Sequence, residues 1–194
     1  MPTFVLATAN PHKASEMRSL LASSDVTILE RPEGIADVDE TEDTLEGNAI
    51  LKARALTVAT GLPAVADDTG LFVDALGGRP GVWSARYAGN GATYSQNVVK
   101  LLDELGDVHD GERGASFRTV IAVAFPDGDV LCVEGELRGT IAREPRGAGG
   151  FGYDSVFVVD GDGRTLAEMS ADQKNALSHR ALALRALVIA LDAH

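Results

Sequence analysis

The residues of this chain that are best suited to chemistry are two adjacent carboxylates, Asp67 and Asp68, followed by Thr69 and Gly70. They come directly after the apolar run 62–66, which is short and contains a proline and therefore predicts a buried strand. Two neighbouring carboxylates are costly to bury as ions unless a cation or hydrogen-bond donors compensate their charge. Mg²⁺ would do so, because it prefers hard oxygen ligands and usually arrives with substrate phosphates. The alternative is a strand-to-turn cap, in which Asp and Gly serve turn geometry only.

A second candidate site is the segment 8–13, between the first predicted strand and the first predicted helix. Asn10 is a good N-cap and Pro11 suits the first helical position. Lys13 follows in the first turn, where a cation opposes the helix dipole unless an anion is near. Ordinary capping explains Asn10 and Pro11 but not Lys13, so free amide donors and this lysine predict a phosphate site. The candidate phosphate-binding residues are Thr8, Ala9, Asn10, Pro11, His12 and Lys13.

A glycine-rich segment, 147–154, is the third candidate site. Its glycines allow close backbone approach, and its two aromatic residues could stack on a planar ring. Only 5% of the chain is aromatic, which favours a base-binding site over an ordinary hairpin loop. Asp154 would accept a hydrogen bond from a ring donor or position a basic side chain. The candidate base-binding residues here are Phe151, Gly152, Tyr153 and Asp154.

Basic side chains gather near the start of the final predicted helix, 173–192, in an otherwise acidic chain. Lys174, His179 and Arg180 predict contacts to phosphate or to the oxygens of a base, the alternative being a solvated helix face.

The acidic run 37–46 precedes or begins the second predicted helix, where acidic residues are favourable without any function. Asp39 and Glu40 are the two members of that run that we expect to reach a metal beside Asp68.

The predicted elements form one α/β domain over residues 1–194 with a mixed sheet. The predicted strands are 3–8, 26–30, 62–67, 116–126, 129–137 and 155–159, and the predicted helices are 11–23, 44–59, 92–106 and 173–192. The first half alternates strand and helix, which favours a parallel or mixed sheet with helices on its faces. A turn signal at 126–129 predicts that the two β-rich runs around it form an antiparallel hairpin.

Composition limits the classes of function. With 194 residues and 45% hydrophobic content, the chain is long enough for one well-buried domain. Its net charge of −12 argues against a nucleic-acid surface, which would need a basic patch. The single cysteine, Cys132, allows no disulfide within the chain, which fits a cytoplasmic protein. No apolar stretch approaches the length of a membrane span, so we expect no membrane partner.

These candidate segments, in their order along the chain, resemble the inosine triphosphate pyrophosphatase family over nearly the whole chain. The resemblance rests on Thr8, Asn10, Lys13, Asn48-Ala49, Lys52-Ala53, Ala66-Asp67-Asp68-Thr69-Gly70, Leu76-Gly77-Gly78, Pro80-Gly81, Ser84-Ala85-Arg86-Tyr87, Gly149-Gly150-Phe151-Gly152-Tyr153-Asp154, Lys174 and Ser178-His179-Arg180. It implies an elongated mixed sheet flanked by helices, two lobes with the active-site cleft between them, and a homodimer. It also implies Mg²⁺-dependent cleavage of ITP, dITP or XTP to the monophosphate and pyrophosphate.

Roles follow from the resemblance residue by residue. Asp68 would bind Mg²⁺ and act as the general base, Asp67 would support it, and Asp39 or Glu40 would be a further metal ligand. Thr69 would contact the substrate, and segment 8–13 would hold the triphosphate. Residues 151–154, with Lys174, His179 and Arg180, would enclose the nucleotide and read its base. Two other functions stay open at this point: a Maf-like pyrophosphatase acting on modified pyrimidines, and a non-catalytic module that senses nucleotides.

Overall fold

A computed structural model of the chain describes residues 2–22 and 24–193. Within these residues the strands are β1 (Thr3–Leu6), β2 (Thr27–Leu29), β3 (Ala64–Val73), β4 (Pro80–Gly81), β5 (Gly114–Ala124), β6 (Val130–Ile141) and β7 (Phe157–Val159). The α-helices are α1 (Pro11–Leu21), α2 (Leu45–Thr60), α3 (Tyr94–Glu104), α4 (Ala171–Leu177) and α5 (His179–Asp192). None of the helices in this described part is long and apolar enough to cross a membrane.

The seven strands form one mixed sheet, which confirms the predicted α/β class. The order is β2-β1-β3-β5-β6-β7, with β4 paired to β3. Strand β1 is parallel to both of its neighbours, whereas β4 is antiparallel to β3 and β7 is antiparallel to β6. The β1–β3 pairing matches Leu6 with Val65, where β1 ends. Strand β3 therefore continues past the carboxyl end of its parallel neighbour.

The predicted hairpin is present between β5 and β6. The linking segment is closed by hydrogen bonds from the Phe125 amide to the Asp129 carbonyl (2.9 Å) and from the Gly128 amide to the Phe125 carbonyl (3.1 Å). Two neighbouring strands joined by so short a link must be antiparallel, because a parallel pair needs a crossover of a dozen residues or more.

The described chain divides into two compact units, neither of which is a continuous stretch. The first comprises residues 1–68, 119–135 and 180–194, and the second comprises 69–118 and 136–179. Each has its own core. Apolar residues from β1, α1, β3, β5 and α5 fill the first core, including Phe4, Met17, Val65, Ile121 and Leu184. The second core is built from β3, α3, β5, β6 and β7, and it includes Leu71, Leu101, Phe117, Ile141 and Phe157.

Capping chemistry sets the ends of the helices that carry the candidate residues. The Asn10 side chain accepts hydrogen bonds from the amides of His12 and Lys13, and Pro11 is the first residue of α1. Helix α2 begins after Thr44, whose hydroxyl accepts from the Gly47 amide, and ends at a left-handed glycine, Gly61. The predicted helix over 11–23 is found as α1, and Ser23 itself lies outside the described residues.

Two predicted boundaries next to candidate site residues are wrong. The strand predicted to end at Asp67 instead runs to Val73, so the carboxylate pair lies inside a strand and is not a strand-to-turn cap. The helix predicted over 173–192 is two helices, because Ser178 has an extended backbone (φ −62°, ψ 154°) between them. Lys174 therefore belongs to α4, whereas His179 and Arg180 begin α5.

Candidate active site

Strand alternation separates the two carboxylates. Successive side chains of a strand point to opposite faces of its sheet. Asp67 accordingly contacts side chains of α1 and α5, and Asp68 contacts side chains of α2. Both are almost fully buried, with 2% and 4% of their surfaces exposed. The repulsion that adjacent carboxylates would suffer is reduced, because each faces its own cations.

Asp67 is the anionic centre of a buried charge network. Its Oδ2 lies 3.1 Å from the Lys13 ammonium and accepts hydrogen bonds from Nε (3.3 Å) and Nη2 (3.1 Å) of Arg180. Burial alone would raise the pKa of Asp67, but Lys13 and Arg180 outweigh it and hold that pKa well below its usual range. The Arg180 guanidinium also donates to the Glu16 carboxylate. Asp67 is therefore held ionised and fixes two basic side chains.

The cation in contact with Asp68 is a lysine of α2. The Lys52 ammonium donates to Asp68 Oδ1 at 2.7 Å and to Glu40 Oε1 at 3.0 Å. Burial raises the pKa of Asp68 to about 6, with Glu40 adding to the rise and Lys52 and Lys13 opposing it. Burial would lower the pKa of Lys52, but Asp68, Asp67 and Glu40 outweigh it and raise that pKa. The site thus contains a carboxyl with a pKa of about 6 and a lysine that stays charged.

Helix α2 also positions the loop that carries Glu40. Asn48 is fully buried; its Oδ1 accepts from the Glu42 amide (3.0 Å) and its Nδ2 donates to the Glu42 carbonyl (3.2 Å). The same Nδ2 lies 3.5 Å from Asp68 Oδ2. Asn48 and Lys52 are four residues apart, so they lie on the same face of the helix. One face of α2 therefore fixes both the loop that carries Glu40 and the Asp68 side chain of β3.

The donor set fits Mg²⁺ at Asp68 and Glu40. Among the residues that the structure describes, no cluster of three or more His, Cys, Asp or Glu side chains could by itself hold a metal. Mg²⁺ does not require one, since it is commonly bound by one or two carboxylates together with waters and substrate phosphates. Oxygens of Glu40 and Asp68 already share one cationic nitrogen, whereas Asp39 is exposed. This geometry favours Glu40 over Asp39 as the second ligand.

The phosphate candidates lie in the loop between β1 and α1. The Thr8 hydroxyl accepts from the Asn10 amide at 3.1 Å, and Asn10 in turn caps the amides of His12 (3.0 Å) and Lys13 (3.3 Å). Two of the amide donors that we expected to be free are therefore used by the cap. Ala9, Pro11 and His12 are exposed. The anion that accounts for Lys13 in the first turn is supplied by the protein itself, as Asp67.

The second unit holds the predicted base-binding loop in a defined conformation. Asp154 Oδ2 accepts from the Phe151 amide at 2.9 Å and from the Lys174 ammonium at 2.6 Å. That ammonium lies 4.8 Å from the centre of the Phe151 ring, which is packed 5.9 Å from the Tyr94 ring. Gly150 (φ +71°) is required here, because a Cβ would lie 2.1 Å from Asp154 Oδ2. Asp154 thus positions a basic side chain, which is one of the two roles that the sequence allowed for it.

Two predicted base-binding residues are core residues. The Tyr153 ring is buried in the core of the second unit and its hydroxyl donates to the Ser84 carbonyl at 2.9 Å. Its predicted stacking role is therefore not available in this structure. His179 is buried and stacks on Phe117 with ring centres 4.7 Å apart. Gly152 is half-buried in a left-handed conformation.

The substrate contacts predicted for Arg180 and Thr69 are not tested by the structure. Arg180 is bound to Asp67 and Glu16, and its contact to a base stays a prediction. Thr69 is half-buried, and its contact to substrate stays a prediction as well.

Three residues that the structure places in the site were given no role there from the sequence: Glu16, Asn48 and Lys52. The signal for the last two was present, since they are polar residues spaced by one turn on a predicted helix.

Comparisons with known proteins agree on one family. The sequence model described as Ham1 family matches residues 4–190. A curated dITP/XTP pyrophosphatase of Streptomyces coelicolor is 48% identical over 97% of this chain and 96% of its own length. A solved HAM1 protein from Coxiella burnetii superimposes with a TM-score of 0.91 at 43% identity, covering both chains fully. The Ham1 protein of Staphylococcus aureus gives 0.88 at 38% identity over 98% of each chain.

Proposed function

The chain belongs to the Ham1 family, and we propose that it is a Mg²⁺-dependent pyrophosphatase that hydrolyses ITP, dITP and XTP to the nucleoside monophosphate and pyrophosphate. Removal of such non-standard purine nucleotides would keep the nucleotide pool clean. The names of the curated relatives support this substrate class.

The observation that carries the proposal is the buried Asp68 carboxyl beside Glu40 and Lys52. A general base works best when its pKa lies near the working pH, and burial raises the pKa of Asp68 to about 6. The carboxylate would take a proton from the attacking water as the α–β anhydride bond of the triphosphate breaks. The water oxygen would form its new bond to the α-phosphorus and stay on the nucleoside monophosphate, and the bridging oxygen would leave with pyrophosphate.

The charge of the triphosphate is the main barrier to attack by water, so cations near the base are required. Lys13 would bind phosphate oxygens from the first turn of α1, and Asp67 would hold it in place. When bound at Asp68 and Glu40, Mg²⁺ supplies further positive charge to those oxygens.

Discrimination would centre on the 6-position of the purine. ITP and XTP carry an oxygen there, where ATP carries an amine, so a fixed donor meets the wrong group in ATP. The Lys174 ammonium is such a donor, fixed by Asp154 beside the Phe151 ring. Phe151 would stack on the base, since it is half-buried and its ring is packed on only part of its surface.

The oligomeric state and location follow from the resemblance and from composition. A homodimer in the cytoplasm is expected, and the lone Cys132 is compatible with a reducing compartment. Light scattering of the purified chain at micromolar concentration tests the dimer: a monomer mass would refute it.

Pyrophosphate release from ITP, dITP, XTP, GTP and ATP, with and without Mg²⁺, tests the function. We expect release from the first three only, and only with Mg²⁺. Faster release from modified pyrimidine triphosphates would favour the Maf-like alternative. Tight binding of ITP with no pyrophosphate released would favour a sensing module.

A further inference from the structure

Lys52 occupies an unusual position for a lysine on a helix. Lysine side chains are rarely buried unless paired, yet the side chain of Lys52 is only 14% exposed. Its ammonium lies between Asp68 Oδ1 (2.7 Å) and Glu40 Oε1 (3.0 Å), whose side chains are 5% and 24% exposed. A single cationic nitrogen thus bridges the two carboxylates that the proposed function assigns to Mg²⁺.

The ammonium and a divalent cation cannot both keep these contacts. Two carboxylates and one ammonium leave one net negative charge, and two carboxylates with Mg²⁺ are neutral. If Mg²⁺ and the ammonium both stayed at these two carboxylates, a doubly and a singly charged cation would lie close together in a buried setting, where their repulsion is strong. Mg²⁺ must also approach its oxygens more closely than an ammonium does. The metal therefore competes with Lys52 for the same atoms.

We propose that Lys52 is a built-in counter-ion that holds the metal position in the metal-free protein, and that Mg²⁺ binds by displacing it. The proposal rests on the proposed function, because it takes Asp68 and Glu40 as the metal ligands. Lys52 keeps the two acids close together without a metal, at the cost of weakening metal affinity.

The loop that carries Glu40 has an anchor that does not depend on Lys52. Asn48 bonds both the amide and the carbonyl of Glu42 at 3.0 and 3.2 Å. When the ammonium leaves, this pair of bonds keeps the loop against α2. Displacement of Lys52 therefore exchanges one cation for another without releasing Glu40.

The test is the affinity for Mg²⁺ and Mn²⁺ alone, measured by calorimetry at pH 8 without nucleotide. In Lys52→Met, loss of the competing charge should make metal binding about tenfold tighter or more. The metal-free variant should also melt at a lower temperature than the wild type, and Mg²⁺ should raise its melting temperature by more. Lys52→Arg keeps the charge and should bind the metal much as the wild type does.

Arg54→Met is the matched control, because it removes one positive charge from the same helix at an exposed position. It should leave metal affinity near that of the wild type. If Lys52→Met does not fold, Lys52→Gln is measured in its place. Metal affinity that is unchanged or weaker in a folded Lys52 variant would overturn the proposal.

Failure of this proposal is distinguishable from failure of the proposed function. A wild-type chain that releases no pyrophosphate from ITP with Mg²⁺ contradicts the function. A wild-type chain that releases it, together with a Lys52→Met variant that binds Mg²⁺ no more tightly, contradicts only the role of Lys52.

Discussion

Asp67 and Asp68 are adjacent in sequence but face opposite sides of β3, where each has different partners. Asp67 is 3.1 Å from both Lys13 and Arg180, and Asp68 is 2.7 Å from Lys52. Burial raises the pKa of Asp68, whereas the cations around Asp67 hold its pKa low. One carboxylate is thus poised for proton transfer, and the other fixes basic side chains.

Asp68→Asn should lose most of its turnover while it still binds nucleotide. The amide cannot accept the proton from water, and general-base catalysis typically contributes about 10²- to 10⁴-fold. Pyrophosphate release from ITP and nucleotide affinity by calorimetry measure the two effects. Turnover within a few-fold of wild type would rule out Asp68 as the base.

Asp67→Asn should instead lower the free energy of unfolding. Lys13 and Arg180 would be left near a neutral amide, and removing one partner of a buried ion pair costs about 3–5 kcal/mol. Urea denaturation at pH 7 measures the change. Asp160→Asn, at an exposed position, is the control and should be near neutral. If Asp67→Asn lowered the free energy of unfolding no more than Asp160→Asn does, the network around Asp67 would not be stabilising.

The end of β3 shows what the sequence could not provide. Two aspartates after an apolar run indicate a strand end, because ions in a strand core are costly. The strand continues because cations from residues 13, 52 and 180 compensate the charge, and those contacts depend on the tertiary fold. The α/β class, the hairpin and the capping of α1 were predictable, since local patterns determine them.

The candidate site was predictable in part, because residue types can be read from the sequence but their burial cannot. The types of residue required for phosphate, metal and base are visible in sequence, and the structure brings Lys13, Asp67, Asp68 and Glu40 together in the first unit. Tyr153 and His179 were assigned to the base because aromatic and basic types suit it. Their burial is decided by packing, and the helix break at Ser178, after which His179 is buried, has only one local signal, a serine of the type preferred before a helix.

The opposite pKa shifts of the two carboxyls predict opposite dependences of stability on pH. Because the pKa of Asp68 rises from 3.8 to about 6, its contribution favours the folded state below about pH 4 and is lost as pH rises through 6. The contribution of Asp67, whose pKa is lowered, is present above about pH 4 and is lost as pH falls.

Carbon-13 NMR titration of the aspartate carboxyls checks these shifts. One resonance, absent in Asp68→Asn, should titrate near pH 6 in the metal-free protein, and Mg²⁺ should move its midpoint to lower pH. A second, absent in Asp67→Asn, should remain ionised at pH 4. An Asp68 midpoint near the ordinary value of 3.8 would contradict the environment described for it.

Phe151→Ala should raise KM for ITP more than it lowers kcat. Stacking stabilises the bound substrate and the transition state alike, so its loss removes uniform binding. Base–aromatic stacking is worth about 1–3 kcal/mol, which corresponds to roughly a 5- to 150-fold rise in KM. Phe151→Leu, which keeps apolar bulk without a ring, should behave like the alanine variant, and Phe151→Trp should stay close to the wild type. If Leu restored the wild-type KM, Phe151 would act by packing against Tyr94 and Lys174, not by stacking on the base.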